Sequence, residues 1–344
     1  MSLFPKVGRK QGSVRIVWWT IVAVLCLGVF LHMLPFYFMI ETSLKTGAEA
    51  LQYPPTLWPQ RPTLAAWQLV WQIAASSITS DNSPLMADPL YVYFFNSLIQ
   101  VSGALLISLP ITAFAAYANC KLQRGPAARW MFLFFIGTLM VPASIVVLPK
   151  LLLSLNFPFA IPLGSIPNLP GTDQPFPTIS VWDTAWAIIL PAGFNAFNFL
   201  LFKGFFDTIP NSVLQAARVD GGSEFNIFRR IVLPMCIPVF AVAAWLQFSA
   251  LWDDYLWPSL AFRTTSNEPM AVAIYTLITN FNNASVTSAS AATAQSAAMK
   301  QALAAGLSWN GLMVLGLLQT LPIFLMFILC REYLLRGVRI RGLK

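Results

Sequence analysis

Long apolar runs separated by short polar segments dominate the sequence. Six runs reach the roughly 20 mostly apolar residues that an α-helix needs to cross the hydrocarbon core of a bilayer. They cover approximately residues 16–41, 93–119, 129–153, 181–202, 234–261 and 306–331. Some exceed the minimum, and we expect these to tilt or to extend beyond the bilayer. The pattern predicts an all-α polytopic membrane protein with six transmembrane helices.

The composition agrees with a membrane protein and sets aside one alternative. The chain has 344 residues, of which 57% are hydrophobic and only 10% are charged, whereas a soluble domain carries roughly 25% charged residues. The net charge of +8 would be compatible with nucleic acid binding. The basic residues cluster at the ends of apolar runs, however, so they indicate contact with a lipid bilayer and no nucleic acid partner.

The distribution of basic residues predicts the topology. Of the 21 Lys and Arg residues, the minority on one side are Lys45, Arg61, Lys150, Arg263 and Lys300. The opposite side holds the others with both termini, so the positive-inside rule makes it cytosolic. The expected organisation is a cytosolic N-terminus (1–15), a first transmembrane helix (16–41), an extracytoplasmic segment (42–92), a transmembrane core (93–331) with a cytosolic loop (203–233), and a cytosolic basic tail (332–344).

Prolines and small residues mark the irregular parts of the chain. Prolines inside the predicted spans free backbone carbonyls and permit bends, which suits a transporter but also has a purely packing explanation. These are Pro110, Pro142, Pro149, Pro191, Pro258 and Pro322. Prolines between residues 53 and 62 favour an extended segment that lies on other parts of the protein. The proline-rich segment 154–180 is predicted to be an irregular outer cap, and the tract 284–298 fits either a flexible loop or an Ala-rich helix.

One polar segment, from Lys203 to Pro238, interrupts the apolar runs on the cytosolic side. Its inner part predicts a short helix in which Ser212 is the N-cap and Gln215 completes a capping box. Gly221 and Gly222 are predicted to end the helix. The predicted face shares small residues at i, i+3, i+4, i+7 spacing, namely Val213, Ala216, Ala217 and Asp220. Because two turns are not stable alone in water, this helix is expected to dock into a soluble partner.

The same segment resembles the EAA loop of ABC-importer permeases. The matching residues are Gln215-Ala216-Ala217, Asp220-Gly221 and Ile231-x-Leu233-Pro234. Further stretches resemble the carbohydrate-type branch of that family, in the expected order: Glu41-Thr42-Ser43-Leu44-Lys45, Phe95-Asn96-Ser97-Leu98, Ala115-Ala116-Tyr117-Ala118, Trp252 to Pro258 and Arg331 to Gly337. The chain departs from the family at Gln215, which usually is Glu, and at Asp253, which usually is Asn.

The resemblance implies a type I ABC importer permease fold in the cell (inner) membrane. It implies that loop 203–233 carries a coupling helix that seats in an ATPase subunit, with Gln215 offering a neutral hydrogen bond in place of a salt bridge. The implied coupling residues are Ser212, Gln215, Ala216, Ala217, Asp220, Gly221, Leu233 and Pro234. The implied partners are a second related permease subunit, two ATP-binding subunits and an extracytoplasmic substrate-binding protein.

The sequence contains no catalytic constellation. It lacks the phosphate-binding G-x-x-x-x-G-K-[ST] motif, so ATP and magnesium are expected on partner subunits, with no cofactor in this chain. His32 lies in an apolar run and is interpreted as a packing or interhelical hydrogen-bond residue. The four cysteines have no pairwise motif and are interpreted as small buried hydrophobic residues: Cys26, Cys120, Cys236 and Cys330.

Aromatic and polar residues near the end of the fifth run are candidates for a substrate path. Sugar sites combine an aromatic face with carboxylate or amide groups, and Trp252 with Asp253 and Asp254 supplies both. Adjacent residues of a helix point about 100° apart, so at most one carboxylate is expected to face the path. The candidates on the fifth run are Trp245, Gln247, Phe248, Trp252, Asp253, Asp254 and Tyr255, with Asn96 and Asn195 as weaker candidates elsewhere. The alternative is an interfacial aromatic belt, with the carboxylates satisfied by water or Arg263.

Together these features predict a permease subunit that imports a sugar or oligosaccharide. Three alternatives stay open at this stage. The same architecture can carry another polar solute, such as a glycerol phosphodiester or a polyamine. The chain can also be a stand-alone secondary transporter, although it has few charged residues in its spans and no evident inverted repeat, or a membrane scaffold without cargo.

Overall fold

The apolar runs form helices throughout the part of the chain that the structure describes. This computed structural model describes residues 12–75, 88–123, 125–158, 178–286 and 308–337. Within those ranges, extended pairing is limited to an isolated antiparallel bridge between Phe157 and Ile179. The helices are α1 (Gly12–Ser43), α2 (Gly47–Ala50), α3 (Ala65–Ala75), α4 (Leu90–Tyr117), α5 (Pro126–Leu139), α6 (Ala143–Leu155), α7 (Trp186–Ile189), α8 (Ala196–Phe206), α9 (Asn211–Val219), α10 (Glu224–Ile227), α11 (Leu233–Met235), α12 (Ile237–Trp252), α13 (Leu256–Ala261), α14 (Met270–Val286) and α15 (Trp309–Gly337).

Short helical turns of other types join some of these helices. A π-helical turn, Ala118–Leu122, continues α4, and a second one, Phe228–Val232, joins α10 to α11. The 3₁₀ turns Pro191–Gly193 and Thr265–Asn267 follow α7 and precede α14. The second half of the predicted polar loop 203–233 is therefore largely helical, which the sequence reasoning did not predict.

Three helices in the described ranges are long and apolar enough to cross a membrane singly: Val14–Ser43, Leu90–Leu122 and Trp309–Leu334. Three further candidates are pairs of helices that meet at a bend: Pro126–Leu139 with Ser144–Leu155 at 103°, Trp186–Gly193 with Ala196–Phe206 at 41°, and Glu224–Met235 with Ile237–Trp252 at 78°. Six spans result if each bent pair crosses the membrane once, so this number stays a prediction.

The prolines of the predicted spans differ in their effect. Pro142 separates α5 from α6, and Pro191 begins the turn between α7 and α8, so both stand at bends. Pro110 and Pro322 lie inside α4 and α15, which continue through them. A proline removes one backbone donor, and a long helix tolerates this loss where neighbouring groups hold the flanking turns.

The chain divides into two compact units. In the first, described over residues 12–75, 278–286 and 308–320, the side chain of Lys45 is buried. Its ammonium lies 2.7 Å from the carboxylate of Glu41 and donates to the carbonyl of Thr56 at 2.6 Å. Asn310 donates to the carbonyl of Lys45 at 3.0 Å. Because a buried charge is costly unless paired, this cluster fixes the irregular segment after α2 against the end of α1.

The second unit, described over residues 88–123, 125–158, 178–277 and 321–337, contains α4 to α13. One apolar cluster joins α4, α8, α9 and the start of α12, with Tyr117, Phe202 and Leu214 among its buried members. Buried hydrogen bonds also join α12 to α4 and α8. The side-chain oxygen of Gln247 accepts from Ser108 at 3.3 Å and from Asn198 at 2.6 Å. Gln247 is thus a buried helix-to-helix link.

Several predicted segments lie partly or wholly outside the described residues. The N-terminal basic run, the middle of the proline-rich segment 154–180 and the last residues of the basic tail are among them. Most of the tract 284–298 also lies outside, although α14 extends to Val286. Residues 52–64 are irregular and bond to the end of α1 and to α2, as predicted for extended structure lying on other parts.

The isolated histidine and two cysteines differ from their predicted environments. His32 is exposed, and its Nδ1 lies 2.7 Å from the carbonyl oxygen of Gly28 in the same helix, so its bond is intrahelical. Cys236 and Cys330 are buried as predicted, whereas Cys26 is exposed on the surface of α1. Cys120 is half-buried and its thiol donates to the carboxylate of Asp207 at 2.8 Å.

Candidate functional site

The short helix predicted for the polar segment 203–233 is present as α9, but it begins differently from the prediction. Pro210 occupies the N-cap position with extended backbone and no side-chain cap, so the predicted capping box of Ser212 and Gln215 is wrong. The helix starts one residue before Ser212, at Asn211. The ammonium of Lys121 donates to the side-chain oxygen of Asn211 at 3.0 Å and to the carbonyl of Ile209 at 2.9 Å. A contact that is distant in sequence therefore holds the first turn.

One leucine anchors α9 to the rest of the second unit. Leu214 is only 1% exposed and belongs to the apolar cluster with Tyr117, Phe206 and Ile227. Ala217 lies three residues after Leu214, on the same side of the helix, and packs against the same cluster. The helix is thus docked on its own chain through Leu214 and Ala217, a role that the spacing of small residues did not reveal.

The end of α9 follows the prediction closely. Gly221 has φ +82°, a conformation that residues with a Cβ atom disfavour. The N–H of Gly222 donates to the carbonyl of Ala217 and that of Gly221 to the carbonyl of Arg218, each at 3.0 Å. These two bonds form a Schellman motif. A Cβ at Gly222 would lie 2.8 Å from the carbonyl oxygen of Ala217, so the second glycine is also required by close approach.

The face of α9 opposite Leu214 is open. Ser212, Val213, Gln215, Ala216 and Asp220 are exposed, as is Val219 at 87%. Ala217 does not share this face, contrary to the prediction, because it turns toward the core. Beyond the helix, Phe225 is 59% exposed. Sequence reasoning missed both Val219 and Phe225, since neither fits the predicted i, i+3, i+4, i+7 set.

The Leu-Pro pair lies at the far end of this segment. Leu233 is half-buried and Pro234 is exposed in α11, immediately before the 78° bend into α12. The helical stretch from Glu224 therefore runs up to a sharp corner at Cys236. The predicted coupling residues thus extend from α9 to the start of the next candidate span.

The aromatic residues proposed for the substrate path are packed together. Trp252 is 1% exposed, and its ring stacks on Phe248 with centroids 5.4 Å apart and meets Phe94 edge-to-face at 5.7 Å. The indole is therefore covered in this conformation. Trp245, one turn before Ser249, packs at 5.8 Å against Phe327. A path role for Trp252 and Phe248 stays a prediction.

The two adjacent carboxylates do not lie on one helix, contrary to the prediction. Helix α12 ends at Trp252, and Asp253 and Asp254 occupy the break before α13. One side-chain oxygen of Asp254 accepts from the backbone N–H groups of Leu256 and Trp257 at 3.1 and 3.3 Å, so Asp254 caps α13. Asp253 is exposed. Beside them, the rings of Tyr255 and Tyr275 stack at 4.4 Å.

Asn96 binds backbone groups of a loop. Its amide donates to the carbonyls of Ser266 and Glu268 at 2.6 and 3.1 Å, and Gln100, one turn further, donates to the carbonyl of Asn267 at 2.9 Å. The hydroxyl of Ser97 accepts from the N–H of Met270 at 2.8 Å. The Asn-Ser-Leu motif thus holds the loop 263–270 against the start of α4.

A carboxylate that sequence reasoning missed holds the same loop from the other side. Asp183 has a positive φ of 62°, and it accepts from the backbone of Arg263 and Thr264 and from the Thr264 hydroxyl. Desolvation raises the pKa of Asp183, but the hydrogen bonds from Thr264 and Arg263 outweigh it and leave the pKa below its ordinary value. Burial and the charge of Asp183 raise the pKa of Glu268. No local motif marks Asp183 in the sequence.

Comparison with protein families decides the identity of the chain. Residues 108–340 match the family described as "Binding-protein-dependent transport system inner membrane component". The chain is a member of this family. The matched range contains the whole polar segment 203–233 and the stretch around Trp252, whereas Asn96 lies before it.

Two individual permeases resemble the chain over nearly its whole length, and a third resembles it over a shorter stretch. The sn-glycerol-3-phosphate transport system permease protein UgpE of Yersinia enterocolitica is 25% identical over 314 residues, which is 91% of this chain and 93% of that protein. The inner membrane ABC transporter permease protein YcjP of Escherichia coli is 23% identical over 93% of this chain and 94% of that protein. Over 29% of this chain and 35% of its own length, the polygalacturonan/rhamnogalacturonan transport system permease protein YtcP of Bacillus subtilis is 32% identical.

Solved structures support the fold of the permease. A bacterial ABC transporter involved in the import of the acidic polysaccharide alginate aligns with a TM-score of 0.66 at 20% identity, covering 94% of this chain and 98% of that chain. The bacterial alginate ABC transporter in complex with an alginate pentasaccharide-bound periplasmic protein aligns with a TM-score of 0.59 at 12% identity, covering 94% and 96%. The expected ABC importer permease fold is thus confirmed.

Proposed function

We propose that this permease forms part of the translocation path for a sugar or oligosaccharide and is driven by ATP hydrolysis on separate subunits. Its complex contains a second related permease subunit, two ATP-binding subunits and an extracytoplasmic substrate-binding protein. ATP and magnesium bind to the ATP-binding subunits. Both termini and loop 203–233 face the cytosol, as the distribution of basic residues suggests.

The open face of α9 is the observation that carries this proposal. Leu214 and Ala217 hold the helix on its own chain, while Val213, Ala216 and Val219 are exposed. A partner that binds this open face can therefore move α9 without unfolding it. Such a partner shifts the spans between two states only if it binds the helix differently in each of them.

The names of the relatives and structural neighbours support a carbohydrate cargo. They include importers of alginate and a permease for polygalacturonan or rhamnogalacturonan. In this chain, exposed Asp253 lies in the same break as Tyr255, whose ring stacks on Tyr275, so an acid and an aromatic surface occur together. Aromatic faces bind the apolar side of sugar rings, while carboxylates bind hydroxyl groups.

A second cargo class, a phosphorylated polyol, is favoured by one observation. The UgpE protein, a permease of the sn-glycerol-3-phosphate transport system, resembles 91% of this chain. Uptake of labelled oligosaccharides and of glycerol phosphate by vesicles containing the complete importer separates the two classes. We expect oligosaccharide uptake that glycerol phosphate does not inhibit.

The coupling role is tested by placing a charge on the open face. Val219→Glu is expected to leave membrane insertion intact, because the side chain is 87% exposed. It should weaken binding of the ATP-binding subunits about tenfold or more, since an unpaired charge in an apolar interface is costly. The matched control is Thr208→Glu, an exposed position of the same segment outside α9, which should assemble normally.

Copurification of the subunits and substrate-stimulated ATP hydrolysis are the readouts. Loss of both in Val219→Glu alone supports the assignment. Normal assembly and stimulated hydrolysis in Val219→Glu would show that α9 does not contact the ATP-binding subunits.

A further inference from the structure

Both ends of α9 are bonded to the same helix, α4 with its π-helical continuation. At the start of α9, Lys121 holds Ile209 and Asn211. At its end, Tyr117 bonds to the ion pair of Arg218 and Glu224. These contacts join residues that are 88 to 107 positions apart in sequence. They are separate from the covalent links of α9 to α8 and α10.

The contact at the end of α9 has the geometry of a strong ion pair. Arg218 Nε lies 2.6 Å from one oxygen of Glu224, and its Nη2 lies 3.3 Å from the other, so the pairing is bidentate. The Tyr117 hydroxyl donates to the same carboxylate at 3.1 Å. Both ionic side chains are partly exposed, so solvent screens their attraction and the pair is suited to fixing an orientation.

Buried aromatic packing makes Tyr117 a rigid attachment point. Its ring is fully buried between Phe228, at 5.2 Å, and Phe206, at 6.1 Å. Phe228 follows Glu224 by one turn, and Phe206 ends α8. The hydroxyl therefore reaches Glu224 from a ring that cannot shift without moving two flanking helices.

The opposite end of α4 is bonded to another segment. Asn96 and Gln100 donate to carbonyls of residues 266–268, and Ser97 accepts from Met270. Helical rise places Asn96 and Tyr117 about 30 Å apart, close to the thickness of the hydrocarbon core. The candidate span Leu90–Leu122 is unbroken between them.

We propose that Lys121, Tyr117, Arg218 and Glu224 form a two-point clamp that positions the coupling helix on α4, and that α4 carries its displacement to loop 263–270. This inference rests on the proposed coupling role of α9. In it, Tyr117, Arg218 and Glu224 are positioning residues that act through α9 and do not themselves bind the ATP-binding subunits. The outer loop then responds to the motor through one continuous helix.

A neighbouring ion pair provides the matched control. Lys203 and Asp207 lie 3.3 Å apart but are only four residues apart near the end of α8, and the contacts given for the Lys203 ammonium in the described residues are with Asp207 and the ring of Phe132. Lys203→Glu therefore reverses a charge in the same segment without touching the clamp. Such an i, i+4 pair contributes little to stability.

The experiment uses the complete importer reconstituted in vesicles, with its substrate-binding protein. The readouts are the ratio of stimulated to basal ATP hydrolysis and the amount of solute moved per ATP, both measured on assembled complexes. Arg218→Glu and Glu224→Arg should each lower the stimulation ratio about fivefold or more. The double variant, which restores opposite charges, should recover most of it, and Lys203→Glu should behave like the unaltered protein.

Two further variants keep the test valid if a charge reversal prevents assembly. Tyr117→Phe removes only the hydroxyl, and Glu224→Gln keeps the shape of the side chain; both should lower solute moved per ATP. Unchanged stimulation in these variants and in the charge reversals, or a double variant no better than its worse parent, would overturn the clamp. Absence of stimulation in the unaltered importer would instead count against the proposed function.

Discussion

The polar segment 203–233 and the segment 252–268 both place polar residues at the end of an apolar helix, but the two segments use these residues differently. In the first, one buried leucine anchors α9 and leaves most of its polar and small residues exposed. In the second, Trp252 fills the core and Asp254 caps the next helix. The loop that follows is bonded to Asp183, Asn96 and Gln100.

The difference shows how far residue type indicates a role. Aromatic and acidic residues together are typical of a sugar site, yet Trp252 is covered in this state and one carboxylate oxygen of Asp254 is occupied by backbone N–H groups. The small residues of α9 belong to no obvious site, yet they form an exposed surface because Leu214 and Ala217 pack the helix on its own chain. Exposure together with bonding capacity therefore decides which residues can recognise a partner.

The largest expected effect tests whether Trp252 belongs to the core. Trp252→Ala should lower the free energy of unfolding by about 3–5 kcal/mol, as for other buried aromatic residues. Asp253→Ala, at the exposed neighbouring position, should cost about 1 kcal/mol or less and reduce solute uptake. Thermal unfolding in detergent and vesicle uptake measure the two effects. A stable Trp252→Ala protein with altered uptake would place the indole in the path.

The next effect compares the two faces of α9. Leu214→Ala should lower the free energy of unfolding by about 2–5 kcal/mol, because it leaves a cavity in the apolar cluster. Val219→Ala should change it by no more than about 0.5 kcal/mol, since the side chain has little contact in this chain. Denaturation of the isolated permease measures both. Similar values for the two variants would mean that α9 is not docked through Leu214.

A smaller effect concerns the turn that ends α9. Gly221→Ala should destabilise the protein by about 1–2 kcal/mol, because a Cβ disfavours φ +82°. Gly204→Ala is the matched control, since that glycine lies within α8 and has no neighbour within 4 Å of an added Cβ. There, alanine should stabilise the helix by up to about 1 kcal/mol. Equal responses in thermal unfolding would contradict the Schellman motif.

The smallest effect appears in the pH dependence of the second region. The lowered pKa of Asp183 means that its contribution is complete at neutral pH and is lost as the pH falls through that pKa, below 3.8. Glu268, whose pKa is raised, has the opposite sign and favours the folded state when protonated. Asp183→Asn tolerates the positive φ and should remove the acid-side loss of stability. An unchanged pH profile of unfolding would show that the charge of Asp183 is unimportant.

Local rules predicted part of this structure well. The glycine pair ends α9 where a left-handed residue is required, and the apolar runs coincide with most of the candidate spans. The start of α9 was missed because Lys121, far away in sequence, holds Asn211. The sharp corner before α12 was not predicted either, since Pro234 and Pro238 do not specify an angle of 78°.

Tertiary contacts explain what sequence reasoning could not reach at the sites. Leu214 is one apolar residue among small ones, and only the packed cluster identifies it as the anchor. Asp183 belongs to no motif, and its role follows from a loop 80 residues further along the chain. The ion pair of Arg218 and Glu224 is six residues apart, outside the usual spacing for helical pairs.

The side and accessibility of α9 are tested most directly by labelling a cysteine at Val219 with a membrane-impermeant maleimide. Labelling of Val219→Cys above the background of the unaltered chain is measured in sealed vesicles of both orientations, with and without the ATP-binding subunits. We expect labelling only where the cytosolic face is outward, and protection once those subunits are bound. Labelling from the opposite face, or equal labelling in the assembled complex, would contradict it.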